Sequence, residues 1–188
     1  MPILGIIASS VLKVTNSYES IATVTVGSGG SSTITFSSIP STYKHLQIRA
    51  LVKDNRSGVE FDNNYLRYNN DSGSNYYSHQ LSGNGSTASA FASGADTAAI
   101  YTTAPGGSIG ASIFSGVVID ILDYASTNKN KVTRSLHGFD SNSVGTVRLV
   151  SSLWSNTAAI NRIDLITNIS PASTIQEYSS FALYGIKG

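Results

Sequence analysis

The chain of 188 residues contains no cysteine, so neither disulfides nor thiolate metal sites are available, and the fold must rest on its core and its backbone hydrogen bonds. Charge is scarce as well. Asp, Glu, Lys and Arg make up 12% of the residues, about half the usual share. Twelve Lys and Arg stand against eleven Asp and Glu, with no basic run, so the counterion release that drives nucleic-acid binding has no footprint. A net charge of +1 gives little protection against self-association, which suits a subunit of an assembly. Long apolar runs are also missing. Met1-Pro-Ile-Leu-Gly-Ile-Ile-Ala-Ser-Ser10 is apolar but has no basic n-region and soon turns polar, so neither a signal peptide nor a membrane span is expected there.

Catalytic patterns are sparse. His45, His79 and His137 lie far apart in sequence, without a His-Glu-x-x-His arrangement, and are read as surface or hydrogen-bonded strand residues. Asp120 and Asp123 are three apart in an apolar strand, which puts them on opposite faces rather than in an acid/base pair. Gly27-Ser-Gly-Gly30 is not followed by a helix or by Gly-Lys-Ser/Thr, so it is a turn and not a phosphate loop. The expectation is a non-enzymatic protein without a cofactor.

In place of charge the chain carries 32 Ser, 16 Thr, 14 Asn and 17 Gly, which suit outer strand faces and turns. The stretch Ile34 to Lys53 organises the rest. Leu46, Ile48, Ala50 and Val52 fall on one side of an extended strand, and His45, Gln47, Arg49 and Lys53 on the other, with Leu51 out of pattern. Ile39-Pro40 marks the corner before it. Ile21–Val26 and Thr33–Phe36 are β-branched runs joined by the Gly-Ser-Gly-Gly turn and predict a hairpin. Tyr65–Tyr68 and Tyr76–Leu81, separated by the turn-rich Asn69–Asn75, predict another. From Ser86 to Ala111 the composition predicts a long excursion with at most one weak strand around Ala98–Thr102.

Ser112–Tyr124 is the most apolar segment. Its Val and Ile content and Gly116 favour a central strand with both faces covered over a helix. Further strands are predicted at Lys131–His137, where Val132 and Leu136 alternate against Arg134, at Thr146–Val150, at Ile160–Ile166 and at Tyr178–Ile186. Together these give an all-β class: an antiparallel β-sandwich, jelly-roll-like, with an extended N-terminal arm over 1–17 and a single domain over 18–188. In the arm, Ile3, Leu4, Ile6 and Ile7 are candidate assembly contacts, with an edge strand covering the domain's own sheet as the alternative.

Tyr65, Tyr68, Tyr76 and Tyr77 cluster around an Asn-rich turn. Rings beside amides suit sugar or protein surfaces, so these four form a candidate outward binding patch, with ordinary strand tyrosines as the alternative. The segment Asp54–Asp71 holds oxygen ligands that a calcium ion uses, but lacks EF-hand spacing, and turn chemistry explains its Asn and Asp equally well.

Ile39-Pro-Ser-Thr-Tyr-Lys-His-Leu-Gln-Ile-Arg49, with Met1–Ser10, Val118-Ile-Asp-Ile-Leu-Asp-Tyr124 and Ser179-Ser-Phe-Ala-Leu-Tyr-Gly-Ile-Lys187, resembles small virion proteins of tailed bacteriophages. The resemblance runs end to end. It implies a jelly-roll or β-sandwich subunit of the virion, often trimeric, that decorates the head shell or belongs to the tail or fibre apparatus. No functional residue set carries over with it. The expectation is a homotrimeric capsid decoration or cement protein whose partner is the major capsid protein or another virion protein, with no nucleic acid or membrane bound. The alternative is a tail or head-fibre adhesin for host surface glycan, and a glycan hydrolase is the weakest class because no carboxylate pair stands out.

Overall fold

The structure, a computed structural model, describes residues 17–168 and 173–188. Ile3, Leu4, Ile6 and Ile7 therefore lie outside the described residues. The elements are β1 (Tyr18–Thr25), β2 (Thr33–Phe36), β3 (His45–Val52), β4 (Phe61–Tyr68), β5 (Tyr76–Gly83), β6 (Ala88–Asp96), β7 (Ala99–Pro105), β8 (Ser115–Leu122), β9 (Lys131–Asp140), β10 (Gly145–Trp154), β11 (Ile163–Ile166) and β12 (Ser180–Ile186). All pairings are antiparallel. One sheet of eight runs β1-β12-β3-β8-β9-β10-β5-β6, and a second of four runs β2-β11-β4-β7.

Eight of these strands form a jelly roll. β1 pairs with β12, β2 with β11, β3 with β8 and β4 with β7, so the chain is one long ribbon folded back on itself. Rolling that ribbon brings β12 beside β3 and β11 beside β4, which closes the two sheets. Two hairpins interrupt the ribbon. β5–β6 is inserted between β4 and β7, and β9–β10 between β8 and β11, and they join through β10 and β5 to continue the larger sheet beyond β8. This extension closes over β7, which is buried at all seven positions.

The core lies between the sheets of the jelly roll. Leu46, Ile48, Val52, Ile119, Ile121, Phe181 and Leu183 of the larger sheet meet Ile34, Phe36, Leu66, Ile163 and Leu165 of the smaller. Each such side chain contributes about 1.5–3 kcal/mol over its exposed state. The alternation expected for β3 holds at Leu46, Ile48, Ala50 and Val52, and Leu51, exposed, is the misfit because it points to the outer face.

Several local expectations are corrected. β1 and β2 are no hairpin: Gly27–Gly30 carries the chain from one sheet to the other. β4 and β5 likewise lie in different sheets, so Asn69–Asn75 is a crossing. Local turn signals specify a reversal but not which sheet receives the next strand. The excursion after Ser86 holds two strands, β6 and β7, because pairing with β5 and β4 overrides the weak propensity of Ala and Ser.

Lys53 does not face water. It lies just past β3, fully buried, and its Nζ donates to the carbonyls of Ile109 and Gly110 at 3.1 Å and of Gly106 at 3.5 Å. β8 is central in its sheet, yet its outer face is open at Gly116 and Val118. Val132, Arg134 and Leu136 do not alternate, since even spacing in a strand places all three on the outer face.

Candidate functional site

The larger sheet changes character halfway across. Consecutive partners across β6, β5, β10 and β9 place Ser89, Ser82, Arg148 and His137 in one inner row, which continues into Val117, Ala50 and Phe181 of the jelly roll. A second inner row reads Ser93, Ser78, Ser152 and Thr133 before Ile121 and Leu46. Along these two rows the extension is polar inside where the jelly roll is aliphatic.

The outer face inverts this. Leu81, Leu149, Leu136 and Val118 stand opposite one another across β5, β10, β9 and β8, and the first three are each more than half exposed. Val147 and Leu51 flank the row beyond Gly138 and Gly116, which leave the surface low between them.

On the polar side, β6 and β4 form the walls of a trough. Phe61, Asn63 and Tyr65 alternate along β4, facing Ser89, Phe91 and Ser93 of β6, and the trough holds cavities of about 580 Å³ at Phe61 and about 360 Å³ at Tyr65. Arg148 lies in the larger cavity. Its guanidinium sits 5.4 Å from the Phe61 ring centroid, and its Nη1 donates to Asn63 Oδ1 at 3.3 Å. Asn63 is fixed in turn by Thr103 Oγ1, which donates to the same oxygen at 3.0 Å. Burial lowers the Arg148 pKa. It also pushes His137 down to about 3, with the Arg148 charge adding to the effect.

The four tyrosines are not one patch. Tyr68 and Tyr76 are fully buried with Trp154, at centroid distances of 5.5 and 6.5 Å from the indole, so neither faces outward. Tyr76 Oη donates to Asp71 O at 3.1 Å and accepts from Tyr68 N at 3.0 Å, while Tyr68 Oη meets Thr133 Oγ1. Both tie the β4–β5 crossing to the core. Tyr65 lines the trough, its pKa raised by burial, and Tyr77 points to the outer face. Close spacing in sequence put them together; alternation and the change of sheet separate them.

The histidines are dispersed. His45 Nδ1 accepts from Asp123 N at 3.0 Å, His79 is exposed on the outer face, and His137 lies inside with Nδ1 3.4 Å from Ser135 Oγ. Asp120 accepts from Gln47 Nε2 at 2.7 Å, and Asp123 pairs with Lys129 at 2.7 Å and Lys44 at 3.1 Å, which hold it down at about 2. The oxygen-rich segment 54–71 is spread along β4. Asp62 binds Arg56 at one end, and Asp71 caps Gly73 N at the other. Among the described residues no three His, Asp or Glu gather.

Sequence reasoning missed Arg148, Phe61 and Phe91. The one signal available was an arginine between Val147 and Leu149, in a strand whose apolar side is the outer one. No family model, curated protein or solved structure matches the chain.

Proposed function

We propose that the chain is a non-enzymatic structural subunit of a tailed-phage virion, a homotrimeric decoration or cement protein that binds the head shell. The aliphatic outer face of β8, β9, β10 and β5 is the observation that carries this reading. Exposed Leu81, Leu136, Leu149 and Val147 cover a polar inner row, so the side chains that would ordinarily fill a core are offered to a partner. Covering them contributes about 25 cal/mol per Å² removed from water, and contacts that bridge shell subunits must break before the shell opens. The virion setting and the trimer rest on the resemblance of Ile39–Arg49 and its companion segments, and the low net charge agrees with assembly.

Mixing the purified protein with undecorated heads and sedimenting them tests the reading, with Leu136→Lys/Leu149→Lys as the comparison. The parent protein is expected to sediment with the heads and the double variant to stay in the supernatant, although it folds. Immunogold labelling of intact virions places the chain on the particle. Label over the head supports decoration, and label confined to the tail or its fibres overturns it.

A further inference from the structure

The trough between β4 and β6 opens away from the aliphatic face, and Phe91 on the edge strand borders both, lining the trough and a cavity with Leu81 and Leu149. Its walls alternate aromatic and polar groups. Phe61 and Tyr65 on β4 and Phe91 on β6 supply ring faces, while Ser82, Ser89 and Asn84 supply hydroxyls and an amide along the larger cavity. Phe91 is exposed, which is costly for phenylalanine unless something stacks on it, and Phe61, which carries the Arg148 guanidinium and lies 6.4 Å from the Phe139 ring, still keeps exposed surface.

Arg148 makes the trough selective. It forms no ion pair with a carboxylate among the described residues, and its one hydrogen bond runs from Nη1 to Asn63. Its Nε is buried without a partner among the described residues. A guanidinium held on an aromatic ring, tethered at one nitrogen, keeps its remaining Nη donors for a planar anion, and a carboxylate matches that geometry. Glu60 at the rim of the same cavity and Asp96 in the smaller one are acceptors for sugar hydroxyls, and they disfavour a ligand that is anionic throughout.

We propose that this trough is a glycan-binding site that takes an oligosaccharide bearing a carboxylate, with the carboxylate on Arg148 and the pyranose faces on Phe61 and Phe91. Pyranose rings present axial C–H groups to aromatic faces, and their hydroxyls reach Ser82, Ser89 and Asn84. Uronic and sialic acids share the carboxylate chemistry and differ in where it sits on the ring.

Calorimetric titration of the full chain with glucuronosyl-xylotriose, sialyllactose and neutral xylotetraose tests this. One acidic probe is expected to bind about tenfold or more tighter than the neutral one, and Arg148→Gln to lose that preference. Which acidic probe binds identifies the source. Phe91→Ala, at an exposed position, is expected to weaken the acidic probe while the fold is kept. Amide and guanidinium shifts of the unmutated protein give a second reading if the Arg148 variant does not fold. Shifts centred on Arg148, Phe61 and Ser89 support the site. No preference for an acidic probe, unchanged binding by Arg148→Gln, or shifts centred elsewhere would overturn it. Because these titrations use the isolated chain, they stand apart from attachment to heads.

Discussion

The Trp154 indole Nε1 donates a hydrogen bond to Asp71 Oδ2 at 2.8 Å, joining the end of β10 to the crossing between the two sheets. The same carboxylate accepts from Asn75 Nδ2 at 2.9 Å through Oδ2 and from Gly73 N at 2.8 Å through Oδ1. Trp154 also packs on Tyr68 and Tyr76. One aspartate thus fixes where the extension begins. Trp154→Phe keeps most of the ring packing and removes the donor, so it should cost about 1–3 kcal/mol. Urea unfolding measures it, and Trp154→Phe combined with Asp71→Asn should cost less than the sum of the two.

Asp71 titrates below an ordinary carboxylate. Burial acts to raise it, and the hydrogen bonds from Trp154, Gly73 and Asn75 outweigh that effect. A depressed carboxylate stabilises the fold above its unfolded pKa, and the contribution is lost as pH falls through the folded one. Asp71→Asn should therefore differ most from the parent at neutral pH and converge on it in acid.

His137 gives a second acid sensitivity from a different cause. The unfolded imidazole titrates near 6.5, and the folded one, buried beside Arg148, at about 3. Below pH 6.5 the unfolded chain takes up a proton that the folded chain refuses, so stability falls toward pH 3 by up to about 1.4 kcal/mol per pH unit. His137→Gln should flatten this slope in thermal melts taken between pH 7 and 4. An unchanged slope would show that His137 does not titrate as placed.

Lys53 organises the chain after β7. Its ammonium satisfies the carbonyls of Gly106, Ile109 and Gly110, and Lys53→Met strands them for a loss of about 1–3 kcal/mol. Hydrogen exchange should quicken first at residues 106–110.

Gly185 lies against the Tyr43 ring, where a Cβ would overlap the ring atoms. Gly185→Ala should cost about 1–3 kcal/mol by overpacking, and Tyr43→Ala should relieve much of it in the double variant. Leu136→Lys/Leu149→Lys, by contrast, should change unfolding free energy by only about 0.5 kcal/mol per site, since both side chains are exposed.

Much of the architecture was legible. The alternation of Leu46, Ile48, Ala50 and Val52, and the Val and Ile of Val117–Ile121, mark strands of the core because burial of one face imposes a period of two. The absence of amphipathic helix patterns set the class. The site was hardly legible. Tyr65, Tyr68, Tyr76 and Tyr77 are near neighbours in sequence, but the crossing at Asn69–Asn75 sends them to a core, a trough and an outer face.

By itself, then, the sequence determined the all-β class and the core strands with a clear period of two, such as β3, but not β6 or the partners of β1 and β4, since the period is local chemistry and pairing is not. Only the tertiary structure decided which face of β5, β9 and β10 turns inward. Leu136 is expected to alternate against Arg134, but it lies outside with Leu81 and Leu149 because these strands continue the sheet past the smaller one, where the inner face meets β7 and the polar trough instead of an aliphatic core. Alternation fixes that two faces differ, and the partner each face meets is set by strands distant in sequence.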